Sequence, residues 1–179
     1  WEELYTLINA AGFGSIEIPF EPVWQFGGRS GVPLTPYCVN TKYGDLTAYR
    51  AFLQSCGISK VTAVTFDPSL FARNAQMGFY FGATKHFALQ AIDFAAGLGA
   101  KYLVLSPSAS IGRLTHYHPG LIANKAPFVE ELSKVVAEIA AVAASKEVKL
   151  LLRPEYWSVL SLDETLDLVK ASSGHLGIA

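Results

Sequence analysis

Apolar positions along the chain alternate between helical spacing and short, nearly continuous runs, and the order repeats. Trp1, Leu4, Tyr5, Ile8 and Ala11 fall on one helical face, and Gly12 offers the left-handed position that ends a helix. A strand is predicted at once over Ser15 to Phe20, ending in Glu21-Pro22. Asp45 can cap a second helix carrying Leu46, Tyr49 and Leu53, Gly57 closes it, and Ile58 to Phe66 reads as a strand ending in Asp67-Pro68. A third helix runs from Phe87 through Ile92 and Ala95 to a stop at Gly97 and Gly99, followed by a strand over Lys101 to Ser106 and then Pro107. Phe128, Leu132, Val135, Val136, Ile139 and Ala143 form the longest apolar stripe, with a strand from Val148 to Arg153 and Pro154 behind it. Ser161 and Glu164 make a capping box for a helix through Leu166 and Val169, and His175 to Ala179 begins a fifth strand.

The unit is roughly 40 residues long, and strict alternation of helix and strand demands a parallel sheet with right-handed crossovers. Strands this apolar are covered on both faces. Helix-to-strand connections are short, whereas those leaving strands reach roughly two dozen residues against the usual ~2–6. The long connections gather at the carboxyl ends of the strands, where α/β proteins build their sites. A dinucleotide fold would need G-x-G-x-x-G directly after a strand, and none is there. Gly27-Gly28-Arg29-Ser30-Gly31 lacks the phosphate-loop lysine and reads as a flexible loop, with anion binding through its amides and Arg29 as the alternative.

Composition narrows the partners. Of 179 residues, 51% are hydrophobic and 16% charged, and the formal net charge is −1. One globular unit with a substantial core follows, with no long-range field to gather nucleic acid or anionic lipid. No apolar run reaches the ~18 residues of a membrane span. Cys38 and Cys56 sit in no ligand spacing and the core needs no disulfide, so a reducing, cytoplasmic setting is expected.

Three passages carry a family likeness. "AAGFGSIEI" resembles the helix-to-strand passage small-Gly-Phe-x-x-Ile-Glu of xylose isomerase-like barrels. "AIDFAAGLGAKYLVLSP" resembles their third helix and the strand after it, and "VEELSKVVAEIAAVAASKEVKLLLRPE" is similar to their fourth helix and the strand that delivers a metal-binding glutamate. The resemblance implies an α/β fold, a partial (β/α)8 TIM barrel. Residues 1–179 would be a single incomplete barrel domain holding about strands two to six. It implies a sugar or sugar-phosphate isomerase or epimerase, in which a divalent metal cation (Mn, Mg, Co or Zn) assists proton transfer next to a carbonyl. The partner would be a small sugar or polyol derivative, with no nucleic acid and no membrane, and a homo-oligomer is open for the full-length form. Where the family has Glu-Pro this chain has Arg153-Pro154. Glu155, placed by strand parity on the same side as Arg153, could take over as the metal ligand.

The candidate site residues each have a plainer reading. Glu17 interrupts an apolar strand, which is costly unless the carboxylate is paired or used: it is either catalytic, with Glu155, or ion-paired inside the barrel, with Arg153 the obvious partner. Arg153 could instead hold a substrate oxygen. Glu21 and Asp67 end strands before prolines, suiting a site or simple turn chemistry. In His116-Tyr117-His118 a metal pair lacks the accompanying carboxylate spacing, and His118 stands as a substrate contact; His86 and His175 read as surface or packing residues. Arg73 and Arg113 could grip a sugar or phosphate oxygen. Trp24, Phe26, Phe79, Tyr80, Phe81, Tyr156 and Trp157 are placed in strand-end loops, mostly as core, with Trp157 the best candidate to stack on a sugar.

Two other functions fit the same pattern. A non-catalytic sugar-binding or regulatory barrel that has lost the metal is consistent with Arg153. Apurinic-site endonucleases share the barrel, but they place histidines at strand ends that here finish in Thr65-Phe66-Asp67 and Ser106-Pro107, and they need a basic face.

Overall fold

The computed structural model describes residues 2–21, 36–73, 76–106 and 111–179, the side chains of Pro36, Tyr37, Leu70 and Arg73 excepted. Trp24, Phe26 and the glycine cluster with Arg29 lie outside the described residues, as do Pro107 and the side chain of Arg73.

Among the described residues five strands form one parallel sheet in sequential order: β1 (Ser15–Pro19), β2 (Lys60–Phe66), β3 (Tyr102–Leu105), β4 (Lys149–Leu152) and β5 (Leu176–Ile178). Each lies within two residues of its predicted bounds. The register aligns Val64, Leu103, Leu150 and Leu176 in one row across β2 to β5, and Phe66, Leu105 and Leu152 in another, all buried. These rows face the helices. Alternate positions, among them Glu17, Thr65, Tyr102, Lys149 and Leu151, lie on the opposite face, the lumen side of a barrel. That face is partly open to water, with Tyr102 41% exposed.

The helices are α1 (Glu2–Ala10), α2 (Pro36–Tyr43), α3 (Leu46–Ser55), α4 (Met77–Leu98), α5 (Ile111–Tyr117), α6 (Gly120–Ala123), α7 (Ala126–Ser145) and α8 (Leu162–Ala171), with a 3₁₀ turn over Pro68–Arg73. Asp45 caps α3 by accepting the Ala48 N–H at 2.7 Å. The capping box is present: Ser161 Oγ accepts from the Glu164 amide at 3.2 Å, and Glu164 Oε2 accepts from the Ser161 amide at 2.8 Å. Every apolar residue named for the long stripe of α7 is buried, and Phe128 from it packs on Tyr80 and Phe81 of α4 with ring centroids 5.9 and 5.2 Å apart.

Three expectations need correcting. Helix α4 begins at Met77, ten residues before Phe87, and runs through Gly97 to Gly99, which takes the left-handed cap at φ 72°. Gly78 and Gly82 made its first turns read as loop. Gly97 lies close against Leu46 at the start of α3, whose side chain would have to shift to admit a Cβ there. Phe79, Tyr80 and Phe81 are therefore helical, the latter two buried in the core. The long strand-leaving connections are also not simple loops: they hold α2, the 3₁₀ turn, α5 and α6. Arg113, His116 and Tyr117 belong to α5, a helix too short to show a periodic stripe. Cys38 and Cys56 form no disulfide. No helix among the described residues is long and apolar enough to cross a membrane.

Candidate active site

The lumen face carries a connected polar group. Glu17 lies in β1, Thr65 in β2, and Arg153 follows the last residue of β4, held there by its amide donating to Leu105 O at 2.9 Å. Arg153 Nη2 donates to Glu17 Oε1 at 2.9 Å, and Thr65 Oγ1 donates to the same oxygen. In a flat sheet β1 and β4 would be three strand spacings apart, about 14 Å. The direct bond between them marks the curl of the sheet toward a barrel. Of the two readings of Glu17, the ion pair with Arg153 is therefore realised, with Thr65 as a partner the sequence reading missed. Thr65 was legible only as one of two hydroxyls, with Thr62, on β2.

Burial pushes the Glu17 carboxyl up, but the hydrogen bonds from Thr65 and Arg153 and the Arg153 charge outweigh it, so the group is held below its ordinary value. Glu17 is ionised at neutral pH. It uses one guanidinium N–H, and arginine has five.

Glu155 lies elsewhere. The strand ends at Leu152, and residues 153–155 have no regular ladder, so the alternation that placed Glu155 beside Arg153 does not extend to it. Arg153 turns to Glu17, while Glu155 lines a cleft of about 530 Å³ with Ile111, Lys125, Pro154, Tyr156, Ser161 and Leu162 among its walls. These come from the connections after β3 and β4, at the carboxyl end of the sheet. Lys125 Nζ donates to Glu164 Oε2 at 2.7 Å and to Val159 O at 3.2 Å, so the wall of the cleft is tied to the capping box. Burial raises the Glu164 carboxyl, and the bonds from Lys125 and Ser161 with the Lys125 charge bring it below its ordinary value.

The aromatic wall of this cleft is Tyr156, 96% exposed, rather than Trp157. Trp157 is 45% exposed, stands edge-on to Tyr156 at 4.6 Å, and its carbonyl accepts the Ile111 amide at 2.8 Å, tying the β4 connection to α5. His118 follows α5, its amide donating to Leu114 O at 2.7 Å, and it does not line the cleft. Arg113 Nη1 donates to Ser69 O at 3.3 Å, and Asp67 accepts from the Ser69 amide and hydroxyl at 2.8 and 2.9 Å, so this pair serves the 3₁₀ turn. His86 pairs with Gln90 on α4 at 2.9 Å.

Among the described residues no three carboxylate, thiol or imidazole groups converge. A divalent cation needs several such ligands. Glu155 alone does not make a metal site, and Glu17 is engaged by a fixed positive charge. The described residues do not by themselves fit a metal.

No protein-family model matches the sequence, and no curated protein matches it at a significant level. Solved structures do match the fold. D-psicose 3-epimerase from Clostridium cellulolyticum H10, solved with D-tagatose, superposes with a TM-score of 0.67 at 16% identity, covering 99% of this chain and 56% of that one. D-allulose 3-epimerase from Methylomonas sp., in complex with D-allulose, gives 0.62 at 12% identity over 99% of this chain and 55% of that one. A sugar phosphate isomerase/epimerase from Parabacteroides distasonis ATCC 8503 gives 0.56 at 13% identity, over 98% and 57%. The chain therefore has the fold of the xylose isomerase-like TIM barrels. It spans a little over half the length of those it is similar to.

Proposed function

We propose that the chain is part of a sugar or sugar-phosphate isomerase or epimerase that moves a proton at a carbon next to a carbonyl. The observation that carries this reading is the Thr65–Glu17–Arg153 group on the lumen face, in a fold shared with epimerases solved with D-tagatose and D-allulose. Arg153 retains N–H groups beyond the one given to Glu17 and would hold a substrate hydroxyl or phosphate oxygen. Glu17, held ionised by its partners, fixes the direction of Arg153; its low proton affinity makes it a weak base at neutral pH. Proton transfer then falls to Glu155, in the cleft at the carboxyl end, with Tyr156 as a face for the sugar ring. Trp157 and His118 do not line this cleft, and no sugar contact is assigned to them.

A divalent cation would polarise the carbonyl and stabilise an enediolate. Glu155 is the residue here that would contribute to holding it, and no step is routed through it.

A second reading, a sugar-binding barrel without metal, is favoured by Arg153 standing paired on Glu17 where the resemblance puts a ligand carboxylate. One experiment separates the two. The full-length protein, stripped with EDTA and then reloaded with Mn²⁺, is incubated with D-allulose, D-tagatose and a ketose phosphate, and products are followed by ¹³C NMR. Conversion supports the isomerase; binding in calorimetry with no product supports the binding barrel.

A further inference from the structure

Among the described residues lining the cleft that holds Glu155, Lys125 is the one cationic side chain. It stands at the start of α7, in the connection after β3, whereas Glu155 and Tyr156 come from the connection after β4. Its ammonium is tied across that gap, with one N–H on Glu164 Oε2 at 2.7 Å and one on Val159 O at 3.2 Å. An ammonium has three N–H groups. The third has no partner among the described residues, and the side chain keeps 39% of its surface open. Two bonds to the β4 connection and to α8 hold the nitrogen in place, so a ligand that meets the third N–H does not have to order a free lysine stem.

The use of that N–H follows from the reaction proposed for Glu155. When the carboxylate takes a proton from a carbon next to a carbonyl, the C–H electron pair forms a C=C bond and the carbonyl π pair moves onto its oxygen. That oxygen becomes an anion. A donor already held at that atom stabilises the charge with no reorganisation at the moment of transfer. Returning the proton to the carbon reverses each shift, so no further reactant is needed. Arg153 does not line the cleft, its guanidinium being turned to Glu17. The cleft, of about 530 Å³, falls within the range of roughly 300–1,000 Å³ of small-molecule sites.

Resting on the isomerase or epimerase reading above, we infer that Lys125 is a further catalytic residue: its third N–H donates to the carbonyl oxygen of the sugar and holds the negative charge that develops there as Glu155 removes the proton.

The test follows entry of deuterium from D₂O into D-allulose by the full-length protein supplied with Mn²⁺, over a range of sugar concentrations so that kcat and KM separate. Lys125→Met is expected to lower kcat by about 100-fold or more, the effect of removing one donor to a developing oxyanion, with KM changed by less than about 3-fold. Lys125→Gln, which keeps a neutral N–H donor, falls between that variant and the parent, and is read in its place if Lys125→Met does not fold. Glu164→Gln is the control for a structural role. It removes the carboxylate that Lys125 is tied to and leaves the ammonium, and it should keep kcat within about 3-fold of the parent. A lysine that only ties the β4 connection to α7 makes the Lys125 and Glu164 variants alike, and an equal fall in kcat for both overturns the inference. So does an unchanged kcat in the Lys125 variants. If the parent introduces no deuterium, the isomerase or epimerase reading fails and takes the inference with it; that outcome is told apart from the others because it appears before any substitution is made.

Discussion

Removing Arg153 tests the ion pair that organises the lumen face. The bond is 2.9 Å long, but the Arg153 and Glu17 side chains are 35% and 41% exposed, so water screens the attraction. An interaction of this kind contributes about 1 kcal/mol rather than the several expected of a sealed pair. A double-mutant cycle with Arg153→Met and Glu17→Gln, read by urea denaturation of the full-length protein at pH 7, should give a coupling of about 1 kcal/mol. The pH dependence follows from the lowered Glu17 carboxyl. A carboxyl whose folded value lies below its unfolded one adds stability that is present above about pH 4.3 and lost as pH falls through the folded value. The gap between the parent and Arg153→Met should therefore be full at pH 7 and shrink below about pH 4. Zero coupling at pH 7, or a gap that does not narrow in acid, would show that the contact does not set the charge state of Glu17.

Three further outcomes are expected. Thr65→Val removes the second donor to Glu17 while keeping side-chain volume, and should raise the Glu17 midpoint in a carboxyl ¹³C titration at a cost of about 1 kcal/mol; an unmoved midpoint contradicts the hydrogen bond. Ser161→Ala breaks the capping box that also anchors Lys125, and should cost about 1 kcal/mol by denaturation. Glu155→Gln in the full-length protein should abolish Mn²⁺ binding, followed by electron paramagnetic resonance of the free ion, together with turnover; if both persist, Glu155 is not a ligand and the metal-free reading gains.

The fold was legible because its signals are local and repeated. Apolar runs bounded by Gly and Pro, a capping box at Ser161, and the stripe from Phe128 to Ala143 each specify an element without help from distant residues. Helix α4 was half missed because Gly78 and Gly82 lower helix propensity in a segment that tertiary packing of Tyr80 and Phe81 holds helical. The site was legible where chemistry was conspicuous: a charge in an apolar strand at Glu17, and an arginine three strands away in the order to neutralise it. It was illegible where geometry decides. Parity grouped Glu155 with Arg153, yet parity holds only while the ladder continues, and it stops at Leu152. The same break put Tyr156 rather than Trp157 on the cleft. Thr65 shows no sequence signal beyond its place near a strand end, because its contact with Glu17 is set by the neighbouring strand.

Solvent exchange is the most direct test of the proposed chemistry. The full-length protein, supplied with Mn²⁺, is incubated with D-allulose in D₂O and the sugar is examined by proton NMR. Removal and return of a proton next to the carbonyl by a carboxylate open to solvent predicts deuterium at that carbon, and Glu155→Gln should suppress it. Binding of the sugar with no deuterium entering any carbon would contradict the isomerase or epimerase reading and leave a barrel that only holds its sugar.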